Sequence, residues 1–568
     1  MITRCALFLL LPLAITSPSS SLAAWQADGN PVTTALVDQV QTVIVSDGSG
    51  GVLVAWADSR NYGATLHDIY CQRLSAMGVA LWTGNGVALC TMPGEQLQPT
   101  IVSDGAGGAI VAWTDYRPSP GADGIYAQHV NASGIPQWTA GGLLVNADST
   151  SQDSPVSVSD AAGGAIIVWH RSGYVLYAQR VNGAGGFLWA SDGVNLSNSP
   201  ALRSRIVSDG AGGAIVAWED LRNELEGDVF TQRVNSSGVA LWTPNGVALC
   251  TATYYQTELA ISADAAGGAF VAWKDQRAGQ AIYAQKVNAS GTPQWTADGV
   301  NADHFIGFGS RGAPTIVSDT AGGAIVAWQD DLNGGGTCDI SAQRITSGGT
   351  RAWSAGNQIS VCNAANDQTV PKAVPDGAGG AIITWQDQRA LPTTSDDIYA
   401  QRVNSSGVRQ WAANGIPACD QSGGQWTPEI TSDGGGGALI AWTDLRTANI
   451  TGYDVYATRI GSLGLVPTGV DGAVPSPSLI VGNAYPNPFS NTTSLDIALK
   501  TVSDVKVDVV DVSGRRVRRI MLRDAPRGAL RVDFDGRNDR GASLANGVYF
   551  CKVSVAGTTV TRRLVIIR

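Results

Sequence analysis

The phrase SDGAGGAIVAW stands at residues 103–113 and returns unchanged at 208–218. Looser copies end at Trp56, Trp169, Trp273, Trp328, Trp385 and Trp442, so the closing Trp recurs at spacings of 57, 56, 49, 55, 55, 57 and 57. One such unit cannot bury its own apolar face. A period of this size therefore means neighbouring units packed into a propeller, a solenoid or an array.

Residues 98–145 show what a unit contains. QPTIVSD, AIVAWTD, GIYAQHV and IPQWTAGGLLV are separated by GAGG, a variable loop and NASG, which predicts four short antiparallel strands. AIVAW is apolar at every position, as a strand covered on both faces must be. GAGG serves as a hairpin turn and not a phosphate cradle, because no helix follows any copy. A second Trp recurs as G-x-x-x-W, in Gly78/Trp82, Gly134/Trp138, Gly185/Trp189, Gly238/Trp242, Gly291/Trp295, Gly349/Trp353 and Gly407/Trp411. Two large rings per unit at fixed places fill the space between units.

The ends of the array choose between ring and line. The last unit stops after Ile460 without its G-x-x-x-W strand, while AWQADGNPV at 24–32 matches QWTADGV at 294–300. Residues 25–32 are thus expected to complete the eighth unit and close an eight-bladed β-propeller, which leaves no open sheet edge. A solenoid would need polar caps instead. The G-x-x-x-W pattern resembles the tryptophan-docking motif of the eight-bladed quinoprotein dehydrogenases. That resemblance implies a shared way of locking blades. It does not imply a quinone cofactor, since NASG stands where that family has its Ala, Asp and Thr.

Residues 1–23 read as a secretory signal, with Arg4 ahead of an apolar stretch and Ser21-Leu22-Ala23 offering a cleavage site. No later apolar run reaches the roughly 18 residues of a spanning helix, so no transmembrane anchor is expected. A net charge of -10 argues against nucleic acid, which is held through Lys and Arg. Seven Cys follow the signal. Cys90, Cys250, Cys362 and Cys419 share one repeat position and are expected to pack as small side chains. Cys71 with Cys90, and Cys338 with Cys362, are candidate disulfides between neighbouring strands.

After the array, residues 466–482 form a Gly/Pro/Ser linker, and 483–568 alternate in the manner of a small β-sandwich. YPNPF, VVDVSGRRVRRI, FDGRNDRG and NGVYFCKV, in that order, resemble the type A C-terminal sorting domain of type IX secretion, which overlaps the FlgD-like Ig fold. The resemblance implies delivery across an outer membrane, with the secretion machinery as a partner and a secreted or cell-surface location. Asp535, Asn538 and Asp539 lack the alternating oxygens of a calcium loop and read as a turn.

Catalytic groups are scarce. Four His fall at unrelated repeat positions, and His129 fills a slot held elsewhere by Arg73, Arg180, Arg233, Arg344 and Arg402. The polar repeat is D-x-R after the inner Trp, in Asp58/Arg60, Asp115/Arg117, Asp220/Arg222, Asp275/Arg277, Asp387/Arg389 and Asp444/Arg446. Its recurrence in six units predicts structural ion pairs from blade to blade, not a substrate clamp. The pattern breaks at His170-Arg171 in the third unit and at Asp330-Asp331 in the sixth. These four residues, on the face carrying the most variable loops, are the candidate ligand contacts. No cofactor or metal is expected.

The sequence reading is a secreted monomeric propeller that binds an extracellular glycan or protein without catalysis. The alternatives are a glycosidase or lyase working in the central funnel, which needs two carboxylates a few ångströms apart, and a structural surface-layer component.

Overall fold

The structure is a computed structural model. It describes residues 25–567 except 118–122, 147–149, 224–226, 278, 304–308, 332–335, 448–450, 466–478, 482–483, 485–486, 500–501, 526–527 and 556–557. The expected signal and most of the expected linker lie outside the described residues.

Eight antiparallel four-stranded sheets follow one another along residues 30–460. Blade 1 runs from its innermost strand Gln39–Ser46 through Val52–Asp58 and Asp68–Leu74 to the outer strand Val87–Cys90. Blades 2 to 7 repeat this order, with innermost strands beginning at Gln96, Gln152, Ala201, Gln256, Arg311 and Gln368. Blade 8 has Gln425–Ser432, Ala438–Asp444 and Asp454–Ile460, and its outer strand is Asn30–Thr33 from the other end of the chain. Asn30 faces Ala457 and Pro31 faces Tyr456 in this closing pair. The protein is an eight-bladed β-propeller followed by an Ig-like sandwich.

The five-residue run that ends in the inner Trp is buried in the second strand of every blade, as its near-unbroken apolar character requires, and the eight inner Trp side chains are fully enclosed. The second Trp does something the repeat pattern alone did not reveal. Each indole N–H donates to a carbonyl in the next blade: Trp82 to Ala132 at 3.0 Å, Trp189 to Ser236 at 3.0 Å, Trp353 to Ser405 at 3.0 Å. The ring lies against the next blade's turn glycine. A Cβ on Gly134 would stand 2.6 Å from Trp82 Cγ, so the Gly of G-x-x-x-W serves the preceding blade's Trp.

One expectation needs correction. The outer strands span only two to four residues and begin after the second Trp, which sits in the connection ahead of them. That connection meets the third strand at a single bridge, as between Leu74 and Ala80, and the Trp82 backbone N–H donates to Gln72 Oε1 at 3.1 Å.

The tail folds as two sheets. Leu479–Val481, Thr493–Leu499 and Gly528–Phe534 form one; Ser503–Asp511, Arg516–Ala525, Gly547–Val555 and Thr558–Ile566 form the other. Phe489, Val507, Val509, Phe534, Cys551 and Leu564 are among the side chains buried in its core. Asn538 Oδ1 accepts the amides of Arg540 and Ala542, which makes DGRNDRG a side-chain-capped turn.

Candidate functional site

The D-x-R pairs are closed units. Asp115 accepts the Trp113 indole N–H at 2.9 Å, the Arg117 backbone N–H at 2.9 Å, and Arg117 Nε and Nη2 at 2.8 and 2.5 Å. The guanidinium lies 3.7 Å from the Tyr126 ring centroid and also donates to Gly141 O. Asp58/Arg60, Asp220/Arg222, Asp275/Arg277, Asp387/Arg389 and Asp444/Arg446 pair in the same way, each carboxylate fully buried. This corrects the expected blade-to-blade direction of the pairing. Each ion pair closes within its own turn, because a two-residue spacing lets the Arg fold back bidentate on the Asp. A carboxylate so saturated has no lone pair left for acid–base work.

Arg60 and Arg222 depart furthest from the expected bridge between blades. Arg60 Nη2 holds Asp58 at 2.6 Å and donates to Asn85 O at 2.8 Å, and the guanidinium lies 3.8 Å from the Tyr70 ring centroid. Arg222 repeats this with Asp220, Asn245 O and the Phe230 ring. Every one of these partners belongs to the arginine's own blade. The reason is the residue met in the preceding blade. Arg117, Arg277, Arg389 and Arg446 each reach a Cys Sγ there, at 3.6, 2.8, 3.2 and 3.1 Å. For Arg60 and Arg222 that place is taken by Thr33 and Ser197.

The shared cysteines link one blade to the next. Cys90 Sγ sits 3.7 Å from Asp115 of blade 2, and Cys250 and Cys362 repeat the contact at 3.8 and 3.9 Å. Burial pushes these three thiols up to about 12, which removes them as nucleophiles. All seven described Cys are free, including the two pairs considered as disulfides.

The blade-to-blade electrostatic ring exists on the opposite face. There the Asp of SDGAGG caps its own turn and meets the Arg slot of the third strand, as in Asp47–Arg73 at 2.9 Å and Asp209–Arg233 at 2.9 Å. The same cations reach onward: Arg180 to Ser236 O, Arg402 to Ser462 O. His129 holds that place in blade 2, between Asp104 at 3.0 Å and Gly183 O at 2.9 Å. Burial alone would raise the Asp47 carboxyl, but its bonds from Ser49 and Arg73 outweigh burial and hold it below the usual range.

The innermost strands stand side by side around the axis, and near its start each carries a bulge with one residue at left-handed φ, such as Gln41, Gln98, Arg203 and Glu258. This end lies on the face of the variable loops. Side chains there hand hydrogen bonds round the mouth: Gln41 Oε1 accepts from Gln98 N, Glu219 Oε1 from Glu258 N, and Glu258 Oε2 from Ala313 N, at 2.6 to 2.9 Å. Charged pairs stand at the mouth in blades 4, 5, 7 and 8. Arg203 pairs with Glu219 at 2.6 Å, Lys274 with Glu258 at 3.3 Å, and Lys372 of blade 7 with Glu429 of blade 8 at 2.7 Å. Arg205 stands in this channel, open to water yet ringed by protein. Its basicity is lowered by that enclosure and by Arg203, against the pull of Glu219 and Glu429. Sequence reasoning missed these residues. The available signal was a charge at the fifth position of an innermost strand, Arg205, Lys372 and Glu429, where other blades carry Val43, Thr100 or Ala260.

The four candidate contacts do not come together, because blades 3 and 6 are separated by two others in the ring. His170 is buried, with Nδ1 3.8 Å from Asp153 Oδ1. Arg171 is half-buried and donates Nε to Thr150 Oγ1 at 2.9 Å. Asp330 is fully buried and, like Asp303, faces the Arg311 Nε, at 3.2 and 2.7 Å respectively. Arg311 thus supplies from the innermost strand the cation that the sixth unit lacks in its D-x-R place. Burial, helped by Asp303 and opposed by Arg311, pushes the Asp330 carboxyl up to about 6. Asp303 and Asp330 are close enough for a carboxylate pair, but neither is exposed to a substrate. Asp331 is half-buried and accepts from Gly336 N at 3.2 Å. Among the described residues no group of three His, Cys, Asp or Glu is placed to hold a metal, and no helix is long and apolar enough to cross a membrane.

Residues 482–559 match the family model of the FlgD Ig-like domain. No curated protein matches the chain. Among solved structures it is similar to an ulvan lyase bound to a GlcA–Rha3S saccharide, at 11% identity over 77% of this chain and 95% of that one, with a TM-score of 0.39. It is also similar to a protein of unknown function from Dyadobacter fermentans (9% identity, 77% and 96% covered, TM-score 0.34) and to the β-propeller domain of the trilobed protease from Pyrococcus furiosus (8%, 64% and 95%, 0.35).

Proposed function

We propose that this is an exported propeller that binds an extracellular glycan or protein at the channel mouth on its variable-loop face, without catalysing a reaction. One observation carries the reading. Glu219, Glu258 and Glu429 at the mouth each have a cation within 3.3 Å, Asp153 at the start of its innermost strand is held below the usual carboxylate range by His170, and the D-x-R carboxylates are fully buried and bidentately held. Polysaccharide cleavage needs an acid and a base or nucleophile facing open space, whereas fixed, alternating charge on a rigid ring suits recognition of polar ligands.

Export through the type IX route is part of this proposal, supported by the tail's YPNPF and NGVYFCKV phrases and its Ig-like fold. The full chain, probed on a glycan array, is expected to bind a restricted set of charged saccharides and to lose them on Arg205→Glu. Release of unsaturated or reducing ends from any bound polysaccharide would replace this reading with that of a lyase or glycosidase.

A further inference from the structure

Blade 3 departs from the ring in a way that points to a ligand. In the other seven blades the inner indole N–H donates to the carboxylate two residues on, at 2.7 to 3.3 Å. In blade 3 Arg171 occupies the Asp position, and Trp169, fully buried, has an indole N–H with no acceptor. In blade 2, the preceding blade, Asn146 is 1% exposed and its amide oxygen and nitrogen are both without partners. Asn146 stands at the repeat position of Cys90, Cys250 and Cys362, each of which touches the carboxylate oxygen that the next blade's indole bonds, at 3.7 to 3.9 Å.

Trp169 and Asn146 therefore bracket the place where every neighbouring blade of the D-x-R type holds a carboxylate oxygen. The guanidinium keeps its part of the pattern, since Arg171 lies 4.8 Å from the centroid of Tyr177, the ring equivalent to Tyr126 under Arg117. The loop above is also the shortest of the set. Three residues separate Arg171 from the strand Val175–Val181, against five to nine in the other blades.

We propose that this place beside the blade 2–blade 3 joint is a seat for a carboxylate supplied by a small acid or sugar acid, bonded by the Trp169 indole and the Asn146 amide. Two buried donors left without an acceptor would together cost several kcal/mol, and a ligand carboxylate relieves both. The seat goes beyond the channel-mouth reading, and its test reads one indole of blade 3 whether or not the mouth binds anything.

The test is titration of the ¹⁵N-labelled full chain with sodium glucuronate, following the Trp169 indole resonance, assigned by its loss in Trp169→Phe. A saturable downfield shift is expected with glucuronate and none with glucose, which differs at the carboxylate. Acetate separates a seat for the bare carboxylate from one that also needs the sugar, and a shift with either acid upholds the seat. Arg171→Asp returns the repeat's own carboxylate, so its indole should start downfield and affinity should fall at least tenfold. Asn146→Cys, a residue the ring already tolerates there, should weaken binding while the fold is retained. No shift with either acid, an equal shift with glucose, or undiminished titration in Arg171→Asp would overturn the proposal.

Discussion

Trp25 donates its indole N–H to the carbonyl of Ala76 at 3.0 Å, and a Cβ on Gly78 would lie 2.9 Å from its ring. The contact is the one every other blade makes with its successor, here joining the chain's N-terminal segment, as part of blade 8, to blade 1. Closure is thus an ordinary blade joint, made by a strand whose direct partners, such as Ala457 for Asn30, lie more than 400 positions along the chain.

Because each docking Trp rests on a left-handed glycine, alanine at that glycine strains the backbone and collides with the ring. Gly134→Ala (φ 77°, 2.6 Å from Trp82 Cγ) is expected to cost about 1–3 kcal/mol. Gly105→Ala also has positive φ but meets nothing within 4 Å, and should cost less. Paired urea melts measure the difference.

Asp115→Asn should leave the Arg117 guanidinium enclosed by Tyr126 and Gly141 without its counter-charge. A loss of roughly 2–4 kcal/mol is expected, since breaking a buried pair costs more than the pair contributes. Exchanging both partners together, Asp115→Leu with Arg117→Met, should cost less than the single change. A double-mutant cycle on thermal or urea unfolding checks this.

The pH dependence of one carboxyl is readable in isolation. Burial, reinforced by Asp420 and Asp387 and opposed by Thr394 and Arg389, pushes Asp397 up to about 6. Its folded-state pKa is raised above the unfolded value of 3.8, so the native state binds the extra proton between the two. Its contribution to stability is highest below about pH 4 and declines as pH rises towards 6. Asp397→Asn lacks that decline. The variant minus wild-type stability is expected to rise from pH 4 to pH 7, as read by unfolding at each pH.

Six of the seven described thiols are buried and Cys338 is half-buried. Of these seven, Cys338 alone should therefore carry label in native protein treated with iodoacetamide, and all seven should react in urea. Mass spectrometry of peptides reads both states.

Much of this arrangement was legible in the sequence. AWQADGNPV could be matched to QWTADGV because the closing strand kept its repeat spelling, and the all-apolar AIVAW declared its two-sided burial. What escaped were partnerships between constant residues. Asp47 and Arg73 recur in nearly every unit, so nothing in the pattern says which Asp takes which Arg. The D-x-R Arg was given to the wrong neighbour, most plainly at Arg60 and Arg222, whose hydrogen bonds and ring contacts among the described residues all lie in their own blades. The channel charges escaped for a different reason. Innermost strands face water along one side, so Arg205 and Glu429 look like ordinary surface substitutions until eight such strands are set around one axis.

The closed ring is tested most directly across its seam, where Gln421 Nε2 donates to Asp28 Oδ2 at 2.7 Å. Asp28→Cys with Gln421→Cys, treated with a short bismaleimide in dilute full-length protein, is predicted to give near-complete intramolecular linkage, seen as a faster-migrating band in denaturing gels. Absence of that band, or linkage only between molecules, with both new thiols reactive, would contradict closure by the N-terminal strand.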